Sequence, residues 1–196
     1  MENAFATRGR PIVLIGLMGS GKSTIGRELS RESGLPFLDM DAVIEEQTGK
    51  TIPEIFQEKG EHHFRVLETA LLRYIEAGVK SGHGAHIIST GGGVVLRPEN
   101  REILRRLGFT VWLNVDLPNL LARTARAQNR PLLQVDDREA AIRTLLTERS
   151  PLYEQTAHLC IESSEMKVME VVEMILHHAS VFFSRPYREP VNFIDH

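Results

Sequence analysis

At 196 residues the chain is long enough for one domain with a sizeable core. Its 26 acidic against 23 basic side chains, formal charge of −3 and pI near 6.2 argue against a nucleic-acid partner, which calls for a basic excess. No apolar run reaches the ~18 residues of a membrane span. The single cysteine, Cys160, excludes an intramolecular disulfide framework and a multi-cysteine zinc site. Residues 1–10 lack the apolar core of a secretory signal, so a cytoplasmic location is expected.

The first element carries the strongest signal. Ile12-Val13-Leu14-Ile15 reads as a buried parallel strand, and Gly16-Leu17-Met18-Gly19-Ser20-Gly21-Lys22-Ser23 follows it with the full spacing G-x-x-x-x-G-K-[ST]. Ile25, Leu29 and the stop signal Gly34 then mark an amphipathic helix. Strand, loop and helix N-terminus together aim main-chain N–H groups and a partial positive charge at an anion. Lys22 can reach outer phosphates and the Ser23 hydroxyl can ligate Mg²⁺, so the chain is expected to bind a nucleoside triphosphate.

Further along, Pro36-Phe37-Leu38 predicts a short strand ending in Asp39-Met40-Asp41. Thr51-Ile52-Pro53-Glu54 is a capping box opening a helix that stops near Gly60. Phe64, Leu67, Leu71 and Ile75 recur at helical spacing between Glu61 and Ala77. A third strand, residues 86–89, ends in Thr90-Gly91-Gly92-Gly93, and a helix runs from Pro98 to Gly108. Val111-Trp112-Leu113 starts a fourth strand, with a helix from Pro118 to about Arg126. Residues 127–136 read as a surface loop, and 138–149 as a helix broken by Ser150-Pro151. His158-Leu159-Cys160-Ile161 makes a fifth strand, and Val168, Val171, Val172, Ile175 and Leu176 stripe a last helix. The tail from Ser180 shows no period. This alternation predicts a parallel α/β sheet covered by helices on both faces. Ligands bind at the carboxyl ends of such strands, where the Gly16–Ser23 loop, Asp39/Asp41, the triple glycine and Asp116 are expected to converge.

Each of these groups has two readings. Asp39 and Asp41 can serve a magnesium ion and an acceptor hydroxyl from one side of a persisting strand, or one of them caps the next helix. Asp116 can hold magnesium, but Asp116-Leu117-Pro118 favours a helix cap. The three glycines form either a flexible turn or a place where backbone approaches a ligand closely. Arg65, with Glu68 one turn on, reads by default as a surface ion pair. Arg123 and Arg126 suit a solvated face, whereas Arg130, followed by Pro131, can swing over phosphates on a closing loop. Arg149 either caps its helix C-terminus or binds an anion. The eight histidines, including doublets 62–63 and 177–178, lack metal-site company.

In this order, Gly16–Ser23, Asp39-Met40-Asp41, Phe64-Arg65-Val66-Leu67-Glu68, Ser89-Thr90-Gly91-Gly92-Gly93, Arg130-Pro131-Leu132-Leu133 and Arg149-Ser150-Pro151-Leu152-Tyr153 resemble shikimate kinase over about residues 11–177. The resemblance implies an α/β P-loop kinase fold similar to nucleoside monophosphate kinases, with a five-stranded parallel sheet and a mobile lid at about 124–137. It sets a kinase domain at 11–178 between extensions 1–10 and 179–196. It implies that ATP phosphorylates the 3-hydroxyl of shikimate, a step in aromatic amino-acid synthesis, in a monomer with no nucleic-acid or membrane partner.

By position, the resemblance makes Asp41 the group that binds shikimate hydroxyls and orients the nucleophile. Arg65 and Arg149 hold the substrate carboxylate, with Gly91, Gly92 and Gly93 forming the substrate-contacting turn. Lys22 and lid Arg130 surround the transferring phosphate. Gly19, Ser20, Gly21, Lys22, Ser23 and Thr24 hold ATP, and Arg123 lies against adenine. Ser23 ligates Mg²⁺ directly and Asp39 through water. The final adenine loop falls at about residues 163–167. Arginine forks and one carboxylate suit a polyhydroxylated acid. The rivals are another small-molecule kinase of this architecture, such as a gluconate kinase, and a nucleotide-binding protein without catalysis.

Overall fold

Apolar runs that a parallel sheet buries on both faces supply the centre of the molecule. The computed structural model describes residues 7–84, 86–125 and 137–184. Five strands, β1 (Ile12–Ile15), β2 (Phe37–Asp39), β3 (Ile87–Ser89), β4 (Phe109–Asn114) and β5 (Leu159–Glu162), form one sheet in the order β2-β3-β1-β4-β5. All pairings are parallel; Val13 lies opposite Ile88 on one side and Thr110 on the other. Every residue of β1 is fully buried, as its unbroken apolar run requires.

Among the described residues seven α-helices cover the sheet: α1 (Lys22–Ser33), α2 (Met40–Thr48), α3 (Ile52–Lys80), α4 (Pro98–Leu107), α5 (Leu117–Thr124), α6 (Arg138–Thr156) and α7 (Val168–Ser184). Alternation along β1 divides the core. Val13 and Ile15 pack with Ile44, Phe64, Leu72, Leu104, Trp112 and Tyr153 under α2, α3, α4 and α6. Ile12 and Leu14 pack with Ile25, Leu29, Val172 and Ile175 under α1 and α7. Among the described residues no helix is long and apolar enough to cross a membrane.

Several boundaries differ from those read in the sequence. α3 is continuous in outline but kinks at Gly60, whose φ of 76° only glycine adopts readily, so the expected stop survives as a bend. The capping box at its start is present, with Thr51 and Glu54 bonding reciprocally. β4 begins at Phe109, two residues early. α7 runs past residue 178 to Ser184 because Ala179 and Phe183 are buried against the sheet. The largest correction is in α6, which passes through Pro151 to Thr156. Proline there removes one N–H and crowds the carbonyl four residues back, a cost of about 3 kcal/mol. Tyr153 and Thr156, each 1% exposed, anchor the turn beyond it and offset that cost.

Candidate active site

Gly16–Ser23 wraps from the end of β1 into the first turn of α1. Gly16, Gly19 and Gly21 take φ values of 143°, 82° and 91°, so side chains other than glycine would strain the loop at each bend. The Lys22 ammonium lies across the loop, donating to the carbonyls of Gly16 and Leu17 at 2.8 and 2.9 Å. Ser23 Oγ donates to Asp39 Oδ2 at 2.7 Å and lies 3.4 Å from Ser89 Oγ. Three oxygen-bearing side chains from α1, β2 and β3 therefore meet beside the loop.

The Asp39/Asp41 strand does not persist. β2 ends at Asp39, and α2 begins one residue later with Asp39 as its N-cap, accepting the Asp41 N–H at 3.1 Å. Capping is thus a real function of Asp39, and the two carboxylates occupy a helix start instead of one strand face. They still border the same cavity. Its volume is about 340 Å³, and Gly19, Lys22, Ser23, Asp39, Asp41, Gly92 and Arg123 stand among its walls. That size is sufficient for a small ligand. Asp116 is absent from this wall; it caps α5 by accepting the Asn119 N–H at 2.9 Å. Arg123 donates to the Ser164 carbonyl at 3.0 Å, which joins the end of α5 to the 163–167 loop.

Behind Asp41 lies a buried cluster of charge. Arg65 is 8% exposed, which overturns its reading as a surface pair. Its Nη1 donates to Glu68 at 2.5 Å, while Nε and Nη2 donate to Glu61 at 3.1 and 2.7 Å. Burial alone would ease the proton off Arg65, but the charges and hydrogen bonds of Glu68 and Glu61 outweigh it and raise its pKa. Glu68 is fully buried. Desolvation pushes its carboxyl up to about 7 against the pull of Arg65, and the Asp41 charge adds to the rise. One of its oxygens, Oε1, has no hydrogen-bond partner among the described residues.

Arg149 sits in mid-helix, 4% exposed, so it is not a C-terminal cap. Its Nη1 donates to the Gly92 carbonyl at 3.2 Å, and its buried Nε has no hydrogen-bond partner among the described residues. Orphaned buried donors and acceptors are costly, and their concentration here suits a site awaiting a polar ligand.

The triple glycine answers to close approach. A methyl group on Gly93 would occupy the Arg65 guanidinium, and one on Gly91 would collide with Glu68 and stand 2.8 Å from Asp41 Oδ1. Glycine is needed because charged side chains from α2 and α3 pack directly on the turn. Arg65 and Arg149 are therefore brought to the Asp41–Gly92 side of the cavity, although neither forms part of its wall. Arg126, Arg130 and residues 126–136, most of the lid expected at about 124–137, lie outside the described residues. Among those described, no three His, Cys, Asp or Glu side chains group to hold a metal.

Two residues escaped the sequence reading. Glu68 falls four residues after Phe64 and three before Leu71, in the buried phase of its helix. A charge in that phase signals a built site. Tyr153 stands one turn beyond Arg149, a relation hidden by the expected break at Pro151.

The shikimate kinase family model matches residues 18–180. A shikimate kinase of Thioalkalivibrio sulfidiphilus is 43% identical over 171 residues, 86% of each chain. One from Xanthomonas euvesicatoria is 43% identical over 166 residues, 84% of this chain and 89% of its own. The structure of shikimate kinase from Acinetobacter baumannii in complex with shikimate superposes with a TM-score of 0.81 at 41% identity, covering 86% and 92% of the two chains. A gluconokinase from Sinorhizobium meliloti, at 18% identity and a TM-score of 0.57, shares the fold.

Proposed function

The chain belongs to the shikimate kinase family, and on that premise we propose that it transfers the γ-phosphoryl group of ATP to the 3-hydroxyl of shikimate, releasing ADP. The observation that supports the residue assignment is one shared cavity: the phosphate loop and Asp41 both line it, with Arg65 packed on Gly93 and Arg149 bonded to Gly92.

ATP phosphates dock on the main-chain amides of Gly19–Ser23 and at the N-terminus of α1, with Thr24 in its first turn. Lys22 neutralises charge on the outer phosphates. Arg123 supports the adenine end together with the 163–167 loop. Shikimate enters with its carboxylate toward Arg65 and Arg149 and its ring against Gly91–Gly93. Asp41 takes the hydrogen bond of the 3-hydroxyl, aligns that oxygen for in-line attack and accepts its proton. Arg130, on the lid, supplies a further cation and helps exclude water, which competes as acceptor.

The residues present fit Mg²⁺, a hard cation that takes oxygen ligands and keeps substrate phosphates and water in its shell. Ser23 Oγ would hold it directly and Asp39 through water, consistent with their 2.7 Å contact. When bound, it supplies charge neutralisation on the phosphates.

A coupled ADP-release assay with shikimate, gluconate and a nucleoside monophosphate as acceptors tests the reading. Turnover is expected with shikimate alone. Equal or faster turnover with gluconate, or none with any acceptor despite ATP binding, would remove it.

A further inference from the structure

The carbonyl of Gly92 accepts two hydrogen bonds from α6. Tyr153 Oη donates to it at 2.5 Å and Arg149 Nη1 at 3.2 Å. The two donors are four residues apart, so they stack on one helix face and reach the same oxygen. On its other side Gly92 lies against the phosphate loop; a methyl there would come within 3.3 Å of Met18 N and 3.5 Å of Gly16 O. Gly92 is thus wedged between the two halves of the site, and Tyr153 fixes it from the α6 side. Its ring is 1% exposed and stacks on Trp112, with centroids 5.7 Å apart.

We propose that Tyr153 is a positioning residue for the acceptor, acting through the Gly92 carbonyl and Arg149. Engaging Nη1 of Arg149 on an oxygen that Tyr153 already holds fixes the plane of the guanidinium. The edge carrying the orphaned Nε is then the edge left for a carboxylate, the geometry in which arginine forks bind best. Without the hydroxyl, Arg149 alone would hold that carbonyl from the α6 side, and its fork would lose its aim. A hydroxyl filling a core hole would do none of this. The inference rests on the reading of Arg149 as a carboxylate ligand.

Tyr153→Phe deletes the hydroxyl and keeps the ring on Trp112. Steady-state kinetics should show the KM for shikimate rising about ten-fold, the scale of one well-formed hydrogen bond, with the KM for ATP changed less than about two-fold. In an Arg149→Lys background the same substitution should add less than about two-fold, because the residue it acts through is already gone. Unfolding followed by fluorescence of Trp112, the one tryptophan, should show that Tyr153→Phe still folds at assay temperature. Unchanged KM for shikimate, equal rises in both KM values, additive effects in the double variant, or loss of folding would each overturn the proposal. Should Arg149→Lys alone leave the KM for shikimate unchanged, the acceptor assignment itself falls and takes the proposal with it. A rise for Arg149→Lys beside a silent Tyr153→Phe removes the role of Tyr153 only.

Discussion

The phosphate loop and the Arg65–Glu68–Arg149 cluster, the two halves of the proposed site, are built from different materials. The loop is eight contiguous residues whose donors are main-chain N–H groups, and its lysine rests on carbonyls of the same loop. The cluster draws on α3 and α6 and packs against α2 and the glycine turn, and its working groups are charged side chains inside the protein. A main-chain cradle costs little to bury because helix and loop geometry position it. A buried ion cluster carries a desolvation penalty and is held by mutual pairing, so removing one partner leaves the others uncompensated. The donor half should therefore tolerate change in its neighbours, while the acceptor half should respond to single-atom edits.

The largest effect tests where the halves meet. Asp41→Asn should lower kcat about 10²- to 10⁴-fold, the usual range for losing a positioned proton acceptor. ATP affinity, measured by equilibrium binding, should stay close to native, since the cradle is built elsewhere; a parallel loss of ATP binding would mean that the two halves are not separable. Next, Arg65→Ala should raise the KM for shikimate about ten- to a hundred-fold, the scale of lost charge-assisted hydrogen bonds. The KM for ATP should move little, and an equal rise in both would break the contrast between the halves.

The smallest effect is one of stability against pH. Glu68 holds its proton more tightly folded, at about 7, than at its ordinary 4.5, because of desolvation with the Asp41 charge added. Its contribution to stability is therefore complete below 4.5 and is lost as pH climbs through about 7. Glu68→Gln removes that dependence. Thermal unfolding from pH 4.5 to 7.5 should show the variant gaining on the native protein as pH rises; a constant difference would mean that Glu68 is ionised throughout.

The same contrast explains what could be read from the chain before its structure. The loop, β1 and α1 were legible because strand, glycine spacing and helix period are all local. Asp116 was legible as a cap because capping is decided within four residues. Arg65 was misplaced because its burial depends on α3 packing against the glycine turn, and no local pattern near residue 65 reports residue 93. Asp39 and Asp41 kept their place at the cavity but not their geometry, since the helix began before the strand could continue. Pro151 misled because its local cost is real; only the burial of Tyr153 and Thr156, supplied by α4 and β4, outweighs it. Arg130 lies outside the described residues, and its role over the phosphates rests on the resemblance alone.

On the rim opposite the cavity, Arg8 Nη2 donates to the carbonyl of Ser184 at 3.1 Å, and the Arg10 guanidinium lies 5.3 Å from the ring centre of Phe182. The entry to β1 and the last turn of α7 are therefore neighbours, on the side where strands begin. Circular permutation is tolerated where chain ends lie close together at a surface. With residues 1–7 and 185–196 removed, a short peptide joining these two points would let new termini be cut at the exposed Ser81–Gly82 turn. Catalytic order along the chain would be rearranged while the cavity kept its walls.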